Sequence, residues 1–231
     1  ELKDNVVAEF CRQNSITLFT PNKLKELKED SEFIIRNSEL ALALVAAYGK
    51  ILPSWLLETS KHGFINFHGS LLPKYRGAVP VQMCVMNQDV ENSGVTIQKM
   101  ELEMDEGAML AQLPIVNSQL LINQTAGELM DELAKLSADY VEQNFDYLFN
   151  PENWELTKQD DSLATYCYVS DMTKEKMEIK FEDGMKLAHG KIMASNPAPL
   201  AWIEYRIENI ELRINLVRSK LTTEELNLEK S

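Results

Sequence analysis

The sequence predicts an α/β fold on a largely parallel sheet, followed by a smaller strand-rich module, and three observations predict it. Short apolar runs alternate with helical patterns as far as Phe149, the signature of strand–helix units stacked into one sheet. The run 40-LALALVAAY-48 is apolar throughout, as a parallel strand buried on both faces requires. Near Asn150 the pattern breaks, and strand-like pieces dominate after Met177. Residues 1–178 carry 15 basic and 28 acidic side chains, against 8 and 8 in residues 179–231, a shift that supports two modules.

The elements follow in order. Val6, Val7, Phe10 and Cys11 recur at helical spacing, so residues 5–14 read as a short amphipathic helix. Ile16 to Phe19 reads as a strand, and Thr20-Pro21-Asn22 is a helix-start signature ahead of the charged stretch Lys23 to Asp30. The strand Leu40 to Tyr48 is punctuated by Gly49 and Pro53, and Trp55, Leu56 and Leu57 suggest a short helix. Gly63 to His68 is a second short strand and Pro80 to Met86 a helix. Gly94 to Met100 alternates as a strand, Ala108 to Val116 is another, and Gln124 to Phe149 is the longest helical pattern. Pro151-Glu152-Asn153 and Lys158 to Ser162 are turn-rich and polar. Strand-like pieces then occupy Glu178 to Phe181, Ala201 to Ile207 and Glu211 to Val217. The expected division is a catalytic domain over 1–160, a linker over 161–178 and a second module over 179–231.

Composition bounds the function. With 231 residues, 45% hydrophobic and 26% charged, the chain is globular in type. A formal net charge of -13 argues against a whole-surface grip on nucleic acid but leaves room for a local basic patch. Cys11, Cys84 and Cys167 are far apart and form no C-x-x-C pair, so neither a disulfide framework nor a zinc site is expected. No apolar run approaches membrane-spanning length, and Glu1-Leu2-Lys3-Asp4 does not open a signal peptide. The expectation is a cytoplasmic protein with no membrane partner.

The chemistry concentrates in 63-GFINFHGSLLPKYRGAVPVQ-82. Asn66 and His68 are two apart on a strand and so project to one face, at the strand end where α/β sheets place ligands. An imidazole and an amide at one mouth can move a proton and hydrogen-bond a developing oxyanion. Taken as an isolated N-x-H, the pair reads more readily as two groups satisfying each other. Asp105 sits at the turn between two strands in 93-SGVTIQKMELEMDEGAMLAQ-112, close to Gly107. Alone it reads as a solvated turn residue. Cys84, on the apolar side of its helix, reads as a small core residue. His62 and His189 carry no partner at metal spacing and read as ordinary.

Together these segments resemble the formyltransferases that use 10-formyltetrahydrofolate, and most closely those that act on methionyl-tRNA. The matching text is VAAYGKILP (45–53), INFHGSLLPKYRGAVPVQ (65–82), SGVTIQKMELEMDEGAML (93–110), ATYCYVS (164–170) and ASNPAPLAW (194–202). The resemblance implies a formyltransferase-type Rossmann-like sheet, N-terminally incomplete, followed by a linker and a partial OB-like β-barrel. It makes Asn66, His68 and Asp105 the catalytic trio. Ser70, Leu71, Leu72 and Pro73 would line the tetrahydrofolate site, and Tyr48 and Ile51 would border the pterin pocket. The implied reaction is acyl transfer: an amine attacks the formyl carbon, Asn66 and protonated His68 stabilise the oxyanion, and Asp105 supports the imidazolium. The donor is 10-formyltetrahydrofolate, the acceptor initiator methionyl-tRNA, and no metal is required.

The resemblance has departures. Family members begin with a strand, a glycine turn, a helix and a second strand, on the order of 60 residues at about 30 per βαβ unit, ahead of the part matching Asn5. A complete protein is expected to be a monomer, and residues 1–231 alone to be marginally stable, self-associating and poorly active. Glu106 and Ala108 flank Gly107 where the family more often has Thr and Asp, and Met193 stands where an Arg is usual. Lys74 and Arg76 read equally as an RNA phosphate contact or as a solvated pair. Trp202 and Tyr205 read as packing of a small barrel rather than as nucleotide stackers. The alternatives are a sugar-nucleotide N-formyltransferase, which shares the trio, and a non-catalytic fragment that binds folate or RNA.

Overall fold

The computed structural model describes residues 6–37, 39–115, 123–207 and 210–220. Its main sheet has four strands in the order β1 (Ala43–Ala46), β2 (Phe64–His68), β4 (Gly94–Lys99) and β5 (Met109–Pro114). The sheet is mixed rather than largely parallel: β1 and β2 are parallel, while β2–β4 and β4–β5 are antiparallel. The loop between Lys99 and Met109 is too short for the crossover a parallel pair needs. Leu71 N–H donates to Asn92 O at 3.0 Å, pinning the start of β4 beside the finishing end of β2, so β4 runs back along it.

Alternation divides β2 cleanly. Ile65 faces the main core with Val95 and Ile97 of β4, covered by α4 (Pro80–Asn87) and α5 (Ala126–Gln143) through Val81, Cys84, Val85, Leu129 and Leu133. On the other face Phe64 packs with Leu52 and Leu56 under α3 (Ser54–Leu57). Beyond Phe64 that second face turns polar.

Several elements differ from the sequence reading, each for a physical reason. Helix α1 (Val6–Gln13) forms as expected, but Ile16 to Phe19 lies beside no strand among the described residues, so its extended backbone makes no ladder. Phe19 instead meets Phe33 edge-on, with ring centroids 5.4 Å apart. Lys23 to Asp30 contains only a 3₁₀ turn, Leu24–Lys28, and α2 (Ser31–Asn37) follows it, with Phe33 N–H donating to the Asp30 carboxylate at 2.9 Å. The apolar run 40–48 yields a four-residue edge strand, not one buried on both faces, because β1 has a single partner among the described residues. The long helical pattern is broken at Asn144, whose amide donates to Tyr140 O at 2.9 Å and ends α5 before α6 (Phe145–Leu148).

A small second sheet pairs β3 (Arg76–Gly77) with β6 (Tyr166–Cys167) in parallel. Glu178 to Phe181 makes only one bridge, Glu178 to Trp202. Helix α7 (Gly184–Ala194), unread in the sequence, packs on α4 so closely that a Cβ at Gly190 would lie 2.2 Å from Met86 O. Ile192, Met193 and Ala194 thereby join the main core. Strands β7 (Ala201–Ile207) and β8 (Ile210–Leu216) form an antiparallel hairpin, and no closed barrel forms among the described residues. Trp202 is buried, with its indole N–H donating to Lys174 O at 2.8 Å, while Tyr205 is exposed.

Candidate active site

Strand register builds the site. Asn66 pairs with Gln98 and His68 with Thr96, and paired residues project to the same face, so four polar side chains share the face that Phe64 leaves. Thr96 is fully buried and ties the chain after β2 down: its hydroxyl donates to Ser70 O at 2.7 Å and accepts from Leu72 N–H at 2.9 Å. The β4–β5 register shifts between Ile97 and Gln98, a bulge beside the site of the kind that re-aims side chains.

His68 is buried between two acceptors. Its Nε2 donates to Tyr75 O at 2.9 Å, and its Nδ1 lies 3.5 Å from Asp105 Oδ1. A carbonyl only accepts, so the proton on Nε2 is required, and the doubly protonated ring would serve both partners. Asp105 is held in the left-handed region at φ +58°, which aspartate tolerates better than most residues. Its Oδ1 accepts from Gln98 Nε2 and its Oδ2 from Gly77 N–H, both at 2.8 Å. Gly77 has φ +121°, and a Cβ there would lie 2.0 Å from Cys167 O, so only glycine presents its N–H this way. The Asn66 carboxamide is half-buried and has no partner among the described residues, which leaves it open to a ligand.

The other expected positions are dispersed. Ser70 and Leu72 are buried, the serine hydroxyl donating to Lys74 O at 2.6 Å and Gln112 donating to Leu72 O at 2.7 Å. Leu71 and Pro73 are half-buried, so the 70–73 segment stays tied to the site face. Tyr48 and Ile51 stand exposed beyond β1, with no hydrogen bond to the trio. A cleft lined by Ser54, Leu57, Glu58 and Met100 to Glu103 runs between α3 and the start of the Asp105 loop.

Arg76 is neither a phosphate contact nor solvated: it is 1% exposed. Its Nε and Nη2 donate to Gln159 Oε1 at 3.1 and 2.8 Å, and Nη2 also donates to Asp161 Oδ1 at 2.6 Å. Nη1 donates to Tyr166 OH at 3.3 Å and lies 3.4 Å from Glu106 Oε1. Burial alone would pull the guanidinium down, but its bonds to Asp161 and Tyr166 push it above its ordinary range. Sequence reasoning missed Gln98 and Gln159 entirely. The one available signal was an amide at an inward-alternating position of the strand GVTIQKM, on the same face as Asn66 and His68. Burial pushes the thiols of Cys84 and Cys167 up to about 12 and about 11, so neither is a nucleophile. Among the described residues no His, Cys, Asp and Glu cluster could hold a metal ion.

A family model for formyl transferases matches residues 2–143. The chain belongs to the formyl transferase family. The formyl transferase match contains the β2 face and the Asp105 loop, while Gln159, Asp161 and Tyr166 fall outside it. Methionyl-tRNA formyltransferase of Bartonella henselae is 34% identical over 221 residues, covering 94% of this chain and 67% of that protein. The enzyme of the same name from Neisseria gonorrhoeae is 33% identical over 207 residues, covering 90% and 65%. The chain thus spans about two thirds of the length of these relatives. Among solved formyl transferase structures, the N-formyltransferase of Helicobacter canadensis, solved with folinic acid and dTDP-3-aminofucose, aligns with TM-score 0.61 at 24% identity, covering 83% of this chain and 65% of that one. A 4-N formyltransferase of Francisella tularensis aligns with TM-score 0.67 at 20% identity, covering 93% and 84%. These structural likenesses concern the fold.

Proposed function

We propose that this chain transfers a formyl group from 10-formyltetrahydrofolate to the amino group of methionyl-tRNA, the step that prepares the initiator for translation. The observation that carries the reading is the buried His68, held between Asp105 and the Tyr75 carbonyl, two residues from an unpartnered Asn66 carboxamide on the same face. The acceptor class is supported by relatives named for methionyl-tRNA at 34% identity.

The residues present fit such a donor. Asn66 offers an amide N–H with no competing partner among the described residues, suited to the oxygen on which negative charge develops. Protonated His68 adds a positive charge on the same face. Asp105 fixes the ring, and the unused lone-pair directions of its carboxylate can take the amine proton, directly or through water, and return it to the donor nitrogen of tetrahydrofolate as that nitrogen's bond to the formyl carbon breaks. The segment 70–73, tied to Thr96 and Gln112, forms a rigid wall for the folate, with Tyr48 and Ile51 as its outer border. The β7–β8 hairpin supports reading the strand-rich part of residues 179–231 as an OB-like module for the tRNA, joined to the main core by α7, and the cytoplasm is the compartment where such a reaction belongs.

The test offers the purified chain 10-formyltetrahydrofolate with either methionyl-tRNA or an amino-sugar nucleotide. Formylmethionyl-tRNA is the expected product, with binding that weakens as salt rises through counterion release. Formylation of the sugar nucleotide with methionyl-tRNA left untouched would overturn the assignment.

A further inference from the structure

Gln159 lies outside the family match and in a polar, turn-rich stretch, yet it is 4% exposed and both polar atoms of its side chain are used. Its Oε1 accepts from two nitrogens of Arg76, a group that can only donate, so the amide orientation is forced. Nε2 must point the other way, where it donates to Asp105 O at 2.7 Å, to Gly107 O at 2.8 Å and weakly to Gln98 Oε1 at 3.4 Å. With Gln98 Oε1 on that side, Gln98 is oriented in turn, and its Nε2 donates to Asp105 Oδ1. Orientation therefore passes from Arg76 through two amides to the Asp105 carboxylate.

We infer that Gln159 is a positioning residue for the formyl-transfer reaction, holding the Asp105 loop in register with His68, and that Arg76 sets the direction in which it does so. The inference rests on the function proposed above. Reversing the Gln159 amide would put its carbonyl against two backbone carbonyls and release Gln98 to turn its own carbonyl toward a carboxylate, driving Asp105 off the imidazole. The arrangement also has an electrostatic logic. Arg76 is neutralised by Asp161 and Glu106, so it orients the loop without pairing with Asp105, whose negative charge stays available to His68.

The discriminating variant is Gln159→Glu. It keeps the shape and the acceptor for Arg76 but, ionised, loses the donors aimed at the Asp105 loop. The expected result is a kcat lower by about tenfold to a hundredfold with KM for both substrates within about twofold. In an Asp105→Asn background the same change should alter kcat by less than about twofold, because the two residues act as one unit. Hydrogen exchange at the Gly77 amide, which bonds Asp105 Oδ2, should accelerate at least about tenfold while α5 amides keep their protection. An unchanged kcat, or equal losses in both backgrounds, overturns the inference. Should the variant fail to fold, the unaltered chain still decides: the side-chain NH₂ groups of Gln98 and Gln159 should exchange at least about a hundredfold more slowly than that of exposed Gln13, and equal rates refute it. If the unaltered chain formylates nothing, the proposed function fails, while the exchange measurements continue to test the positioning.

Discussion

At the scale of the residue, the trio divides into one open group and two held ones. Asn66 has no partner among the described residues, whereas His68 and Asp105 are fixed by four hydrogen-bonding groups between them. Groups that act mainly in the transition state change kcat more than KM. His68→Ala is therefore expected to lower kcat by about a hundredfold or more, with folate affinity largely kept, as steady-state kinetics and folate titration would show. Asp105→Asn should behave alike, because it removes the carboxylate that faces His68 Nδ1 and could take the amine proton. Near-normal turnover in either variant would remove that residue from the mechanism. That Asn66 and His68 share a face was legible in the two-residue period of a strand, whereas their role was expected only through the family resemblance. Asp105 was legible only through the family resemblance, since a loop aspartate has no periodicity. Arg76 was misread because an arginine beside a lysine resembles a surface pair, and its partner lies 83 positions away.

At the scale of the element, β3 and β6 are two-residue strands whose value lies in what they hold. Gly77→Ala would set a methyl against the Cys167 carbonyl at a positive φ, prising β3 from β6 and withdrawing the N–H that Asp105 uses. A fall in melting temperature together with lost turnover is expected, and a stable, active alanine variant would refute the close packing. The buried thiols of Cys84 on α4 and Cys167 on β6 give a pH dependence with a definite sign. Up to pH near 9, the ordinary thiol value, Cys84 and Cys167 keep their protons in both the folded and unfolded states. Above it the unfolded chain releases protons that the folded chain retains until about pH 12 and about pH 11. Stability should decline through that window, and denaturant midpoints measured from pH 8 to 11 should fall less steeply in Cys84→Ala. Strands β2, β4 and β5 and helix α5 were readable because apolar period and caps agree, the Thr125–Glu128 capping box of α5 being an example. Helix α7 was not, because two glycines and a histidine in GMKLAHGKIMA mask its pattern, and only its packing on α4 makes it helical.

At the scale of the whole molecule, the outer edge of β1 is unpaired among the described residues, and large apolar side chains are exposed on β1 and on α1. Leu44 is 41% exposed, Phe10 58% and Val6 81%. Open strand edges invite pairing with another chain, while a net charge of -13 opposes it. Sedimentation velocity should therefore show association that grows as salt screens the repulsion over a Debye length of about 10 Å at 0.1 M. Leu44→Lys should reduce it. A strictly monomeric chain at every salt concentration would show that the edge is protected.

The strap that carries Gln159 and β6 has a consequence for how the enzyme is made. Translation proceeds from the amino end, so β2, Asn66 and His68 emerge first and the Asp105 loop follows. Gln159 appears 52 residues after Gly107, and β6 ends at Cys167, sixty residues after it. At about 5–20 residues per second, the nascent polypeptide spends several seconds on the ribosome with its histidine in place and its aspartate unlatched. A ribosome stalled before Gln159 would thus display a chain whose Asp105 loop lacks the two backbone contacts that Gln159 makes.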